Sequence, residues 1–285
     1  MKNTNVEISK TSGFCMGVNN VVSIVDKLLE EGKKVCTLGP IIHNPKVVEN
    51  FKNRGVKIVN KALECEKDFS LVIRSHGVTK SELEYIQNQK FNYIDGTCPF
   101  VKKIHNIASK HSDKTDFLLV AGNENHPEVI GIRSYFSGKS FIFKNLEELK
   151  KIVSNNPELK NSSVLVIAQT TYNVEEWNKC TKFLEEELSG ATIFNTICNT
   201  TGMRQKEALE LSKNSDVMIV IGGKQSSNTL KLYNICSENA PTIWIEDADE
   251  LENIDLKKYE NIGIVAGAST PKSEINRAYE KICIL

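Results

Sequence analysis

The sequence predicts an α/β protein made of three similar small domains with mainly parallel sheets. Three observations predict it. Six apolar runs, nearly continuous, each lead into a loop rich in His, Ser, Thr and Asn. Helix signals follow these loops, and alternating β and α patterns imply parallel sheets. Three cysteines recur at matching places, each just after a short apolar or β-branched run and just before a helical pattern: Cys15, Cys98 and Cys198. They are separated by segments the size of a small α/β unit.

Taken in order, Val35-Cys36-Thr37-Leu38-Gly39 runs into Ile41-Ile42-His43-Asn44-Pro45, and Leu71-Val72-Ile73-Arg74 into Ser75-His76-Gly77. Phe117 through Gly122 runs into Asn123-Glu124-Asn125-His126-Pro127-Glu128, and Val164 through Ala168 into Gln169-Thr170-Thr171. Val217 through Ile221 runs into Gly222-Gly223-Lys224-Gln225-Ser226-Ser227-Asn228, and Ile262 through Ala266 into Gly267-Ala268-Ser269-Thr270. Such unbroken apolar runs fit parallel strands buried on both faces. Pro45, Pro127 and Pro271 suit the first helical position, where a missing N–H costs nothing. Asn173 with Glu176 approximates a capping pair. Amphipathic patterns follow at 82–86 and 175–184. Two polar loops per cysteine-headed segment divide the chain into 1–97 (an N-terminal strand plus domain one), 98–197 (domain two) and 198–285 (domain three plus a C-terminal tail). Turn residues follow strands in any protein, so no single loop carries an assignment; the sixfold recurrence does. In open α/β sheets the ligand crevice lies at the carboxyl ends of the strands. Domains arranged about one centre would turn all six loops and all three cysteines toward it, among helix N-termini that favour anions.

Composition bounds the function. Of 285 residues, 40% are hydrophobic and 25% charged, as in ordinary globular proteins. Lys+Arg and Asp+Glu both number 36, so the zero net charge argues against a bulk electrostatic grip on nucleic acid. No apolar run approaches the ~20 residues of a membrane span, and Met1-Lys2-Asn3-Thr4-Asn5 has no apolar signal region. A cytoplasmic protein is expected, with its eight cysteines as thiols. Cys36, Cys65, Cys180, Cys236 and Cys283 read as packing residues, because free cysteine behaves as a small hydrophobe. There is no CxxC, no GxxxxGK[ST] and no GxGxxG, so a zinc ribbon, a nucleoside triphosphate site and a dinucleotide site are not indicated.

The three remaining cysteines stand in ligand-like settings. Cys15 is flanked by Gly13 and Gly17, Cys98 lies between Gly96-Thr97 and Pro99, and Cys198 precedes the polar Asn199-Thr200-Thr201. Three thiolates select zinc, Cu(I) or an iron–sulfur cluster and leave a coordination position for substrate. His43, His76 and His126 lie in corresponding loops and could donate to phosphate oxygens or shuttle protons. His105 and His111 fall in a helical pattern and read as surface or partly buried residues without chemistry. Glu128 sits in a first helical turn, where a carboxylate compensates the dipole; beside a metal it could instead be a protonated general acid, oriented by Thr170 and Thr171. Ser226, Ser227, Asn228 and Ser269 add neutral donors. Of five arginines, only Arg74 adjoins one of the loops.

At these residues the chain resembles the 4-hydroxy-3-methylbut-2-enyl diphosphate reductase family. The resemblance runs through Gly13-Phe14-Cys15-Met16-Gly17-Val18, Ile42-His43-Asn44-Pro45, Arg74-Ser75-His76-Gly77 and Asp95-Gly96-Thr97-Cys98-Pro99. It continues through Asn125-His126-Pro127-Glu128, Ala168-Gln169-Thr170-Thr171, Ile197-Cys198-Asn199-Thr200-Thr201, Ser226-Ser227-Asn228 and Gly267-Ala268-Ser269-Thr270-Pro271. It implies three α/β domains with pseudo-threefold symmetry around a central [4Fe–4S] cluster. Cys15, Cys98 and Cys198 would bind three irons, and the open fourth iron would take the substrate's allylic hydroxyl. His43, His76, His126, Ser226, Ser227, Asn228 and Ser269 would hold the diphosphate. Glu128, helped by Thr170 and His126, would deliver the proton that lets the hydroxyl leave as water. Two-electron reduction would then give isopentenyl and dimethylallyl diphosphate, the last step of the non-mevalonate isoprenoid pathway, with ferredoxin or flavodoxin as electron donor and neither nucleic acid nor membrane as partner. A cluster-dependent dehydratase would need no electron donor, and an iron–sulfur sensor would need neither Glu128 nor diphosphate-binding loops.

Overall fold

In the computed structural model, which describes residues 4–284, twelve strands form three four-stranded sheets in which every pairing is parallel. The residues outside that range include the first three of the start read above as lacking a signal region. The first sheet contains β2 (Val35–Leu38), β3 (Lys57–Val59), β4 (Ser70–Ile73) and β5 (Tyr93–Asp95), in the order β3-β2-β4-β5. The second contains β6 (Phe117–Ala121), β7 (Lys139–Phe143), β8 (Val164–Ala168) and β9 (Ala191–Ile193), in the order β7-β6-β8-β9. The third has β10 (Val217–Ile221), β11 (Thr242–Ile245) and β12 (Asn261–Ala266) in the same relation, and its fourth strand comes from the N-terminus: β1 (Asn5–Ile8) pairs with β12 from Asn5↔Asn261 to Ile8↔Ile264.

The chain divides into two compact units. One comprises residues up to 20, 42–53 and from 199 onward, with the third sheet; the other comprises 21–41 and 54–198, with the first and second sheets. The inner strands β2, β4, β8 and β10 are buried at every residue, which is why they read as continuous apolar runs. Each buries both faces. In the second sheet Leu119 and Val166 pack with Trp177 and Leu184, while Leu118, Val120 and Ile167 pack with Ile104 and Ile132. In the third, Ile219 and Ile264 face Ile275 and Ala278, and Met218 and Val220 face Leu232 and Cys236. Burying such side chains contributes roughly 1.5–3 kcal/mol apiece before entropy is counted.

Most helix starts follow the sequence signals. Pro45 and Pro127 open α2 (Pro45–Asn53) and α5 (Pro127–Ser134), and Pro99 opens α4 (Pro99–His111). Pro271 lies one residue before α10 (Lys272–Ile284). Asn173 caps α7 (Val174–Glu187) by accepting from the Glu176 N–H, but the Glu176 carboxylate, instead of closing the box, accepts from the N–H of Leu146, the first residue of α6 (Leu146–Asn155), whose own N-cap is Asn145. Among the described residues no helix is long and apolar enough to cross a membrane.

Candidate active site

Each cysteine follows the fourth strand of a sheet and immediately precedes a helix: Cys15 before α1 (Met16–Glu30), Cys98 as the N-cap of α4, and Cys198 before α8 (Asn199–Ser212). The backbone N–H of each donates to a carbonyl in the loop after the third strand of the same sheet. Cys98 donates to Ser75 at 3.0 Å, Cys198 to Thr170 at 3.0 Å and Cys15 to Ala268 at 3.2 Å. This thrice-repeated pin aligns Arg74-Ser75-His76 with Gln169-Thr170-Thr171 and Gly267-Ala268-Ser269. The loops after the first strands repeat as well, each ending in a polar N-cap. Asn44 accepts from the Val47 N–H at 3.2 Å, His126 Nδ1 from the Glu128 N–H at 3.2 Å, and Ser226 Oγ from the Thr229 N–H at 3.3 Å.

The unit built on the third sheet holds Cys15, His43, Ser226, Ser227, Asn228 and Ser269. Ser269 Oγ donates to the His43 carbonyl at 3.2 Å, and Asn44 Nδ2 donates to the Ser269 carbonyl at 3.0 Å, so these two loops are laced together. Gly223 lies so close that a Cβ there would stand 2.4 Å from the His43 carbonyl oxygen. Buried Asn228, in the first turn of α9 (Ser227–Ser237), has an Nδ2 with no partner. Two residues of α8 that sequence reasoning passed over position the Cys15 loop. Buried Arg204 donates to the carbonyls of Gly13 (2.6 Å) and Ala266 (3.0 Å). Glu207 accepts from Ser9 Oγ (2.6 Å) and from the Thr11 N–H (2.9 Å). Most of these partners lie almost two hundred residues away, and no local pattern announces such pairs.

The other unit holds Cys98, Cys198, His76, His126, Glu128 and Thr170. Glu128 is 1% exposed and enclosed by the second sheet's loops. One carboxylate oxygen accepts the Thr170 N–H at 2.6 Å, the other the Thr170 hydroxyl at 2.8 Å. Burial pushes its pKa up to about 7, against the pull of those two hydrogen bonds. A carboxyl group half-protonated near neutral pH is suited to give a proton. Because His126 Nδ1 is an acceptor, its neutral ring carries the proton on Nε2. His76 packs edge-on to His126 with ring centroids 5.3 Å apart. Cys198 is tied to Thr170, so acid and cysteine share one partner. His105, read as a surface or partly buried residue without chemistry, is buried, stacked on Tyr135 at 4.3 Å, and burial drops its pKa to about 4. Its ring packs where Gly77 and Gly131 leave room, which gives it a core role.

The eight thiols, none in a disulfide, sort themselves by setting. Cys36, Cys65, Cys180 and Cys236 are buried, and burial pushes the thiols of Cys36 and Cys236 up to about 12 and that of Cys180 to about 11. Burial disfavours the thiolate in those groups, in keeping with a packing role. Cys283 is exposed on α10. Cys15, Cys98 and Cys198 alone are half-buried, and each stands at a helix N-terminus; the Val18 N–H points at Cys15 Sγ, 3.5 Å away. Half-exposed thiols are the ligand type that iron–sulfur clusters take.

Residues 6–283 match a family model described as LytB protein. The chain is 40% identical over 269 residues to the 4-hydroxy-3-methylbut-2-enyl diphosphate reductase of Clostridioides difficile (strain 630), covering 94% of this chain and 95% of that one. A solved structure of (E)-4-hydroxy-3-methyl-but-2-enyl diphosphate reductase, described as the terminal enzyme of the non-mevalonate pathway, shares 35% identity. It superposes with a TM-score of 0.69 over 99% of this chain and 100% of its own. The E-1-hydroxy-2-methyl-but-2-enyl-4-diphosphate reductase from Plasmodium falciparum gives a TM-score of 0.88 at 24% identity, over 98% of this chain and 88% of its own, a likeness of fold.

Proposed function

The chain belongs to the LytB protein family, and on that premise we propose that it is a 4-hydroxy-3-methylbut-2-enyl diphosphate reductase. The observation that carries the reading is the enclosed Glu128–Thr170 pair, a carboxyl group poised near neutrality and bonded to the residue that also ties Cys198. Cys15, Cys98 and Cys198 are the proposed ligands of a [4Fe–4S] cluster, which when bound supplies a route for electrons and one open Lewis-acidic iron. His43, His76, His126, Ser226, Ser227, Asn228 and Ser269 hold the diphosphate by neutral and imidazole donors. Glu128 gives the proton on which the hydroxyl departs as water, because hydroxide alone is a poor leaving group. Thr170 holds that carboxyl group in place, and His126 fixes the turn that presents it. The allylic C–O bond breaks, two electrons from the donor reduce the carbon fragment, and a second proton adds to carbon, yielding isopentenyl and dimethylallyl diphosphate. The electron donor is of ferredoxin or flavodoxin type, and eight unbridged thiols accord with a cytoplasmic setting.

The test is anaerobic turnover of Glu128→Gln with iron and sulfide analysis of the same sample. Turnover should be lost with cluster content near wild type. A Gln variant that turns over at the wild-type rate would sink the proposal, and turnover by the wild type without reductant would point to a dehydratase.

A further inference from the structure

Arg74 occupies a place in the first sheet's repeat that the second sheet gives to a neutral side chain. The cysteine pins align Arg74 with Gln169. Gln169 is buried and bonded within its own repeat: its Oε1 accepts the Asn123 N–H at 3.2 Å and its Nε2 donates to Thr171 Oγ1 at 3.0 Å. Arg74 has no such company. Its guanidinium lies in a notch at Gly39, where φ is +77° and a Cβ would stand 2.4 Å from a terminal guanidinium nitrogen. Its Nε is fully buried without a partner, and among the described residues no carboxylate pairs with it. Burial without a counter-charge holds its pKa below the usual arginine value. A largely enclosed cation without a counter-charge, its Nε fully buried, costs folding free energy, and natural folds keep one where an anion completes it. The notch lies between the ends of β2 and β4, the strand pair about which the order of this sheet reverses, where α/β sheets bind ligands. Arg74 stands two residues before His76.

We infer that Arg74 is a diphosphate-binding residue, the fixed positive charge in a set of otherwise neutral donors. The inference rests on the proposed reductase reading, because the anion it invokes is that of the substrate. The planar guanidinium donates two parallel hydrogen bonds to phosphate oxygens, which a lysine ammonium cannot reproduce.

The experiment is calorimetric titration of inorganic diphosphate into the anaerobic holoenzyme, for wild type, Arg74→Gln and Arg74→Lys, with melting temperatures measured with and without diphosphate. Arg74→Gln installs the side chain that the second repeat uses at this place. It should bind diphosphate about 10- to 100-fold more weakly, Arg74→Lys should fall between, and ligand-free Arg74→Gln should melt no lower than wild type. Equal diphosphate affinity in wild type and Arg74→Gln, or a Gln variant destabilised without ligand yet binding normally, overturns the inference and marks Arg74 as structural. Failure of the wild type to bind diphosphate at all would instead bring down the reductase reading.

Discussion

Replacing Glu128 by glutamine should change how stability depends on pH, by an amount the structure sets. The carboxyl pKa is 4.5 in its ordinary state and about 7 in the fold, because burial penalises the anion more than Thr170 relieves it. A carboxyl group raised in this way stabilises the fold fully below its unfolded pKa, where both states hold the proton. The contribution falls as pH rises, since the unfolded chain releases the proton first, and it is gone once pH passes the folded value. The window is therefore about pH 4.5 to 7, and across pH 5.5 to 8 the loss comes to about 2 kcal/mol. The glutamine of the Glu128→Gln variant cannot ionise and keeps the same reach: its carbonyl accepts the Thr170 N–H, and its amide donates to the Thr170 hydroxyl. Urea unfolding of wild type and Glu128→Gln at several pH values is the assay. The stability of the variant relative to wild type should rise by about 2 kcal/mol from pH 5.5 to 8 and level off above it. A difference that stays flat, or falls with pH, would show a carboxylate already ionised in the folded protein, and the proton-donor role of Glu128 would go with it.

In turnover the same group predicts a basic limb: kcat should decline as pH rises through about 7, and in Thr170→Val, which loses the hydroxyl bond that favours the anion, that limb should move to higher pH. An unmoved limb would separate Thr170 from the acid. Cys15→Ser, Cys98→Ser and Cys198→Ser should each lose most of the brown chromophore in anaerobic preparations, whereas Cys180→Ser, a core substitution, should keep it; unchanged iron in any of the first three removes that cysteine from the ligand set. Arg204→Met strips two charge-assisted bonds from the Gly13 and Ala266 carbonyls and should cost about 2–4 kcal/mol in urea unfolding while lowering iron content. Full iron loading in that variant would show that the Cys15 loop holds its shape without it.

Residue order along the chain was enough to reveal the inner strands, the six loops and the three cysteine-bearing turns, because burial on both faces demands unbroken apolar runs and each polar loop follows directly. The outer strands β3, β7 and β11 carry a weaker signal: they are only partly buried, so polar residues such as Lys57, Lys139 and Thr242 stand in runs that an inner strand keeps apolar. That β1 completes the third sheet is a pairing across more than two hundred and fifty residues, which no local spacing encodes. The site divides in the same way. Cysteines, histidines and Glu128 stood out by type and position, but whether Glu128 merely offsets a helix dipole or holds a proton depended on its enclosure and on Thr170, forty-two residues away. His105, Arg204 and Glu207 acquired their roles only when packing supplied a ring, two carbonyls and a loop for them to meet. Apolar periodicity is written locally because each strand or helix must bury its own face. Protonation and hydrogen-bond partnership belong to the surroundings, and these exist only once the chain has folded.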